Sequence, residues 1–313
     1  TNTLRYARMK KTALVLSGIY MAMTILNFLF LFIGGMPLFD SVCTTFGTAG
    51  TGGFGIKSDS MASYSPYLQN VTTIFMLLFG INFSCYYLIL TKHLLSVWRD
   101  EELRAYLSVF VVSTALITLN IYHIYSSVTT GLRHAAFQVS TVMTTTGFAT
   151  TDFDKWPVFS KQLLLCLMFV GASAGSTAGG LKFQRLLLLL KNLRRHIHRT
   201  LYPNKVQVVR MNGQKVSERI LAGTDLYLIA YSLILIFSFM LVSIDNFSIT
   251  TNLSAVAACF NNVGPGLDAV GPTCNFGGFS ILSKLVLIFD MLAGRLEILP
   301  LLCTLSISTW KRR

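Results

Sequence analysis

Five stretches of this chain, residues 12–33, 71–91, 105–124, 162–181 and 226–244, contain no Asp, Glu, Lys or Arg. Each is close to the ~20 residues that carry a helix across a ~30 Å hydrocarbon layer. A sixth, 285–309, is apolar apart from Asp290, Arg295 and Glu297. No soluble fold of 313 residues has enough interior for that much apolar surface. Composition agrees, with 53% hydrophobic and 12% charged residues. Both a cytosolic enzyme fold and a disordered regulator are excluded. The expected fold class is therefore all-α integral membrane. Segment 12–33 is too long for a signal peptide and lacks a small-residue cleavage site.

The net charge of +13 is distributed asymmetrically. Twenty of the 26 Lys and Arg residues fall on alternate connections: the N-terminal segment, 92–104, 182–219 and the C-terminal end. Five (Lys57, Arg133, Lys155, Lys161 and Lys284) fall on the others. This imbalance places the first group, and both visible ends, in the cytoplasm. A nucleic-acid binder using 182–219 would leave six spans unexplained, so no nucleic acid is expected. The six cysteines show no metal-ligand spacing and read as inert buried thiols. His196 and His198 are two apart and make a poor helical metal pair. An intramembrane enzyme would need a nucleophile–base pair or metal ligands, and His123 has no matching acid or second histidine. The chain reads as a non-enzyme.

The connections on the other side resemble one another: GGMPLFDSVCTTFGTAGTGGFG (34–55), GLRHAAFQVSTVMTTTGFATTDF (131–153) and ITTNLSAVAACFNNVGPGLDAVGP (249–272). Each begins with a segment of about ten residues, too short to cross. Each then passes into Thr, Asn and Gly and is followed by a further span. The unit of span, half-helix, Gly-containing loop and span repeats over 1–99, 100–219 and 220–313. Irregular backbone at membrane depth survives only in protein or beside water. Its carbonyls need a partner, and a desolvated cation is one. A half-helix directs its negative C-terminal end toward such an ion, and glycine allows the positive φ that turns carbonyls one way. The expected coordinating carbonyls are those of Thr145, Thr146 and Gly147, of Asn262, Val263 and Gly264, and of either Thr48-Ala49-Gly50 or Thr51-Gly52-Gly53. The first of these alternatives keeps the offset from Phe46 that Val263-Gly264 keeps from Phe260.

Residues 171–180 (Gly171, Ala172, Ser173, Ala174, Gly175, Ser176, Thr177, Ala178, Gly179, Gly180) interrupt a span with poor helix formers. They read either as a GxxxGxxxG packing ladder or as a break beside a cavity. Arg295, inside a span, is either half of a buried ion pair or a charge near a pore. Lys182 lies near the interface and can snorkel. In 182–219, KNLRRHIHRT suits anionic lipid headgroups. VQVVRMNGQKVS holds an Asn212-Gly213 hairpin signal, read as a lipid anchor or as a dock for a regulatory subunit.

The segments TTTGFATTDF (144–153), NNVGPGL (261–267), GASAGSTAGGLK (171–182) and GRLEILP (294–300) resemble the Trk/Ktr/HKT superfamily of potassium transport proteins, most closely its bacterial TrkH-type membrane subunits. The resemblance runs over essentially the whole chain. It implies four repeats around one pore, so that a first repeat is expected upstream of Thr1. It also implies K+ as the transported ion with no prosthetic group, and a bacterial plasma (inner) membrane location. The implied partners are a second copy of the chain in a homodimer and a cytoplasmic TrkA/KtrA-like nucleotide-binding subunit. It further implies that 171–180 is a gate below the filter, with Arg295 and Lys182 close to the path. The first loop departs from the family's usual Asn-Ala-Gly-Phe form. The alternative within the superfamily is a sodium-permeable or sodium-coupled transporter.

Overall fold

A computed structural model describes residues 2–202, 207–296 and 298–305, with side-chain detail from residue 12 onward except at 299, 302 and 305. Glu297 and the terminal cations Lys311, Arg312 and Arg313 lie outside the described residues, as do the side chains of Arg5, Arg8, Lys10 and Lys11. The chain forms two compact units: Thr1–Thr151 with Ala172–Ala178, and Asp152–Gly171 with Gly179–Arg313.

Unit 1 contains α1 (Asn2–Ile33), α2 (Leu38–Ala49), α3 (Pro66–Phe79), α4 (Phe83–Leu90), α5 (Leu94–Trp98), α6 (Glu101–Ile121) and α7 (Val128–Met143). Residues 12–33 and 101–121 are long and apolar enough to cross a membrane. The expected span 71–91 is not one straight helix: α3 and α4 meet at 88°. The cause is local. Gly80 caps α3, and the Asn82 side chain accepts from the Ser84 N–H to start α4 in a new direction. Leu31, Met76, Phe79, Phe137 and Phe148 are fully buried in one core, while Leu119 on α6 is 70% exposed. That inversion suits a lipid solvent.

Unit 2 contains α8 (Val158–Val170), α9 (Phe183–Leu201), α10 (Glu218–Val242), α11 (Ile249–Phe260), α12 (Ile281–Leu296) and α13 (Ile298–Leu305). Residues 218–245 qualify as a span. The expected span 162–181 ends at Val170. Beyond it the backbone is non-helical up to α9, with positive φ at Gly171, Gly175, Gly180 and Lys182, so a helical packing ladder at 171–179 is ruled out. Between α9 and α10, β1 (Arg210–Met211) pairs antiparallel with β2 (Gln214–Lys215). Asn212 and Gly213 both have positive φ, as a two-residue hairpin turn requires. A hairpin this short needs support, and Val209 packs with Leu188 and Leu221 of the flanking helices. The cysteines depart from expectation: Cys85 and Cys259 are buried, but Cys166, Cys274 and Cys303 are exposed. An apolar helix face turned to lipid keeps Cys166 and Cys303 dry without protein covering them, whereas Cys274 lies in the loop before α12.

Candidate functional site

The helices α2, α7 and α11 end in the same way. Their C-cap residues Gly50, Thr144 and Asn261 keep φ near −90° and ψ near 0°. The next residue in each case turns left-handed: Thr51 (φ 50°), Thr145 (φ 54°) and Asn262 (φ 58°). Two residues further on, Gly53 (φ 66°), Gly147 (φ 90°) and Gly264 (φ 102°) are again positive. The hydrogen bonds repeat as well. The amides of Thr51, Thr145 and Asn262 reach the carbonyls of Thr48, Val142 and Cys259, and those of Gly52, Thr146 and Val263 reach Gly47, Thr141 and Ala258. Each is a Schellman closure of a helix end, built here with Thr or Asn where glycine is usual.

That substitution has a cost. A β-branched residue in the left-handed region is a genuine outlier, at about 1–2 kcal/mol. Such conformations persist where the surroundings over-determine them, commonly at functional sites. Thr51 is held by its own hydroxyl, which donates to Gly50 O (2.8 Å) and Thr177 O (3.1 Å). Thr144 and Thr146 share a hydroxyl–hydroxyl bond of 2.8 Å. The carbonyls of Gly52, Gly53, Thr146, Gly147, Asn262, Val263 and Gly264 accept no hydrogen bond among the described residues.

The shared geometry sets a conformational register for the first loop. Thr48 and Ala49 are helical and Gly50 is the cap. The conformational equivalents of Thr145–Gly147 and Asn262–Gly264 are therefore Thr51, Gly52 and Gly53. Phe46 lies within the last turn of α2, whereas Phe260 is the final residue of α11. Aligning the two shifts the frame by three.

In unit 1 the first two loops touch. A Cβ placed on Gly53 would lie 1.8 Å from Thr146 O, so these backbones approach as closely as only glycine permits. Met61 N–H donates to Ala149 O (2.9 Å), and Ala149 N–H donates to Ser60 Oγ (3.2 Å). Segment 172–178 also packs here. Ser173 N–H donates to Gly80 O (3.1 Å), Phe83 N–H to Gly175 O (3.2 Å), and Ala174 N–H to Glu102 Oε1 (2.6 Å). Sequence reasoning missed Glu102, Asn82 and Ser60 as parts of this site.

In unit 2 the third loop is supported by helices. Tyr231 O–H donates to Asn261 Oδ1 (2.8 Å), and Asn262 Nδ2 donates to Met291 O (3.2 Å). A Cβ on Gly294 would lie 1.7 Å from Phe260 O. Arg295 is the next residue, in the last turn of α12 and exposed on this unit. Beyond the loop, Leu267 N–H bonds Ser254 Oγ (2.9 Å), and Asp268 accepts from Ser248 and Thr251. Those two hydroxyls hold the Asp268 carboxyl below the usual carboxylate range. Lys182 stands at φ 73° immediately before α9, and Gly171 and Gly180 approach each other so closely that a Cβ on Gly180 would meet Gly171 Cα at 3.1 Å.

Helices long and apolar enough to span a membrane, joined by shorter helices with strained ends, define a predominantly helical membrane protein. Comparison with known proteins narrows this. Residues 2–311 match the family described as "TrkH: Cation transport protein", and the chain belongs to that family. It is 37% identical over 311 residues to the Trk system potassium uptake protein TrkH of Salmonella typhimurium, covering 97% of this chain and 63% of that protein. It is 30% identical over 282 residues to TrkG of Escherichia coli K12, covering 89% of this chain and 58% of that one. The crystal structure of the potassium transporter TrkH from Vibrio parahaemolyticus superposes with a TM-score of 0.88 at 33% identity, covering 97% of this chain and 66% of that one. The chain thus spans less than two thirds of the length of these relatives.

Proposed function

We propose that the protein mediates potassium uptake across the bacterial plasma membrane, through a filter made of backbone carbonyls. The observation that carries this reading is the threefold recurrence of one strained helix end, followed by carbonyls (Gly52, Gly53, Thr146, Gly147, Asn262, Val263 and Gly264) that accept no hydrogen bond among the described residues. A dehydrated cation needs several such oxygens at once. The filter residues are Thr51–Gly53, Thr145–Gly147 and Asn262–Gly264, each contributed by one of three repeats over 1–99, 100–219 and 220–313. The helices α2, α7 and α11 are the pore helices, turning their partial negative ends toward the ion. Potassium is cargo, and the membrane potential supplies about 2.3 kcal/mol per charge per 100 mV. The names of the relatives favour potassium over the sodium-permeable alternative.

Residues 171–180 form the gate in this reading, with Lys182 and Arg295 as nearby fixed charges. The partners are a second copy of the chain, membrane lipids and a cytoplasmic nucleotide-binding subunit. The docking surface for that subunit is α9 with the hairpin, where Arg195 pairs with Glu218 (2.6 Å). The full-length protein in liposomes should pass potassium and rubidium ahead of sodium and lithium. Gly147→Ala and Gly264→Ala should each lose that discrimination while still inserting. Unchanged relative permeabilities in both variants, at normal expression, would remove these loops from the ion path.

A further inference from the structure

Segment 172–178 sits in a socket formed by the break between α3 and α4. Gly80 O receives Ser173 N–H, Phe79 O receives Thr177 Oγ1 (3.4 Å), and Phe83 N–H reaches Gly175 O. Asn82 lines the same place, since a Cβ on Gly175 would meet its Oδ1 at 3.0 Å. On the far side of the segment, Thr177 O accepts from Thr51 Oγ1 of the first loop. These are neutral contacts. A shorter contact is of another kind: Ala174 N–H donates to the carboxylate of Glu102 at 2.6 Å.

Glu102 is unusual for its position. It is the second residue of α6, where an acidic side chain ordinarily faces water and complements the helix end. Here it is only 5% exposed, while Arg104 on the same turn is exposed. A buried carboxylate is costly unless hydrogen-bonded, and the loop amide supplies such a bond. Charge-assisted bonds of this kind are about twice as strong as neutral ones. The chain leading into Glu102 is short and firmly held. Asp100 caps α6 through the Leu103 N–H (2.9 Å). Val97 of α5 is buried with Cys85 and Leu103. A displacement of α5 therefore moves the first turn of α6, and with it the carboxylate.

We propose that Glu102 is a latch holding segment 172–178 against the first loop, and that the 92–104 connection is the mechanical input that releases it. Glu102 is a positioning residue: it acts through the segment and not on the ion. The proposal rests on the reading of 171–180 as a gate, and the test separates the two. Potassium flux without any regulatory subunit is measured for the full-length protein in liposomes. The variants are Glu102→Ala, Glu102→Asp, Glu102→Gln, a deletion of Ala172–Ala178, and that deletion combined with Glu102→Ala.

Loss of one charged hydrogen bond should raise basal flux about tenfold in Glu102→Ala. Glu102→Asp, which keeps the charge but is one methylene shorter, should also raise it. Glu102→Gln should raise flux less than Glu102→Ala, because its amide oxygen still accepts from Ala174 N–H but without the charge. In the deletion background Glu102→Ala should add nothing. If the deletion raises flux but Glu102→Ala and Glu102→Asp leave flux per folded protein unchanged or lower, the latch is wrong and the gate stands. A further rise in the deletion background also overturns the latch. No rise from the deletion itself overturns the gate reading and the latch with it.

Discussion

The loops after α2 and α7 in unit 1 and the loop after α11 in unit 2 share one backbone conformation but are supported differently. In unit 1 the support is main chain on main chain, with Gly53 against Thr146, and the left-handed positions are occupied by two threonines. In unit 2 the support comes from side chains and helices, through Tyr231, Asn262 and Gly294. The left-handed residue there is an asparagine, which tolerates that region better. One conformation can thus be reached by tight mutual packing of strained residues or by bracing a less strained one. The first arrangement should respond more sharply to any added atom.

The largest effect is expected at the close approaches. Gly53→Ala places a Cβ 1.8 Å from a carbonyl oxygen and also strains φ, and should cost roughly 3 kcal/mol or more. Gly294→Ala, at 1.7 Å from Phe260 O, lacks the φ penalty and should cost about 1–3 kcal/mol. Gly264→Ala meets nothing within 4 Å and should cost only about 1–2 kcal/mol of backbone strain. Thermal unfolding in detergent ranks the three. If Gly264→Ala proves as damaging as Gly53→Ala, the two kinds of support do not differ.

Next in size is Tyr231→Phe. It leaves the buried Asn261 Oδ1 without its donor and should cost about 1–3 kcal/mol. An unfolding temperature equal to wild type would show that side-chain bracing contributes little in unit 2. The smallest effect belongs to Asp268, exposed on the way out of the third loop. Its carboxyl is depressed first by Ser248 and then by Thr251. The ionised form therefore favours the folded state, fully above the unfolded value of about 3.9. That contribution fades as pH falls through the lower folded-state value. Asp268→Asn should lower stability slightly at neutral pH, leave the lowest pH nearly unaffected, and so flatten the acid limb of a stability–pH curve. An unchanged acid limb would argue against the carboxylate as a support.

Much of the fold, and the position of the three loops that follow short helices, is readable from residue order. The half-helices and their glycines are visible because a short apolar segment leading into Thr, Asn and Gly has few uses at membrane depth. The register of the first loop is not visible, because Phe46 and Phe260 look alike and only the helix end sets the frame. The bend at Gly80–Asn82 escapes because hydropathy measures apolarity along the chain and not direction. Its signals are present, a glycine stop and then an Asn cap, but they lie inside an uninterrupted apolar run. Glu102 escapes for a different reason. In sequence it is an ordinary acidic residue at a helix start, and only the packing of a segment 72 positions later makes it a buried partner.

The membership of Ala172–Ala178 in unit 1 has a consequence for biogenesis. During synthesis, the ribosome delivers residues 1–151 well before the segment that completes them. Until it arrives, Gly80 O, Phe79 O and the Glu102 carboxylate lack the partners that they have in the finished protein. A newly inserted segment ending at Thr151 must therefore hold these groups in water or lend them to the insertion machinery. Early assembly of this membrane protein is thus tied to a stretch of seven residues translated some twenty positions after the rest of their unit.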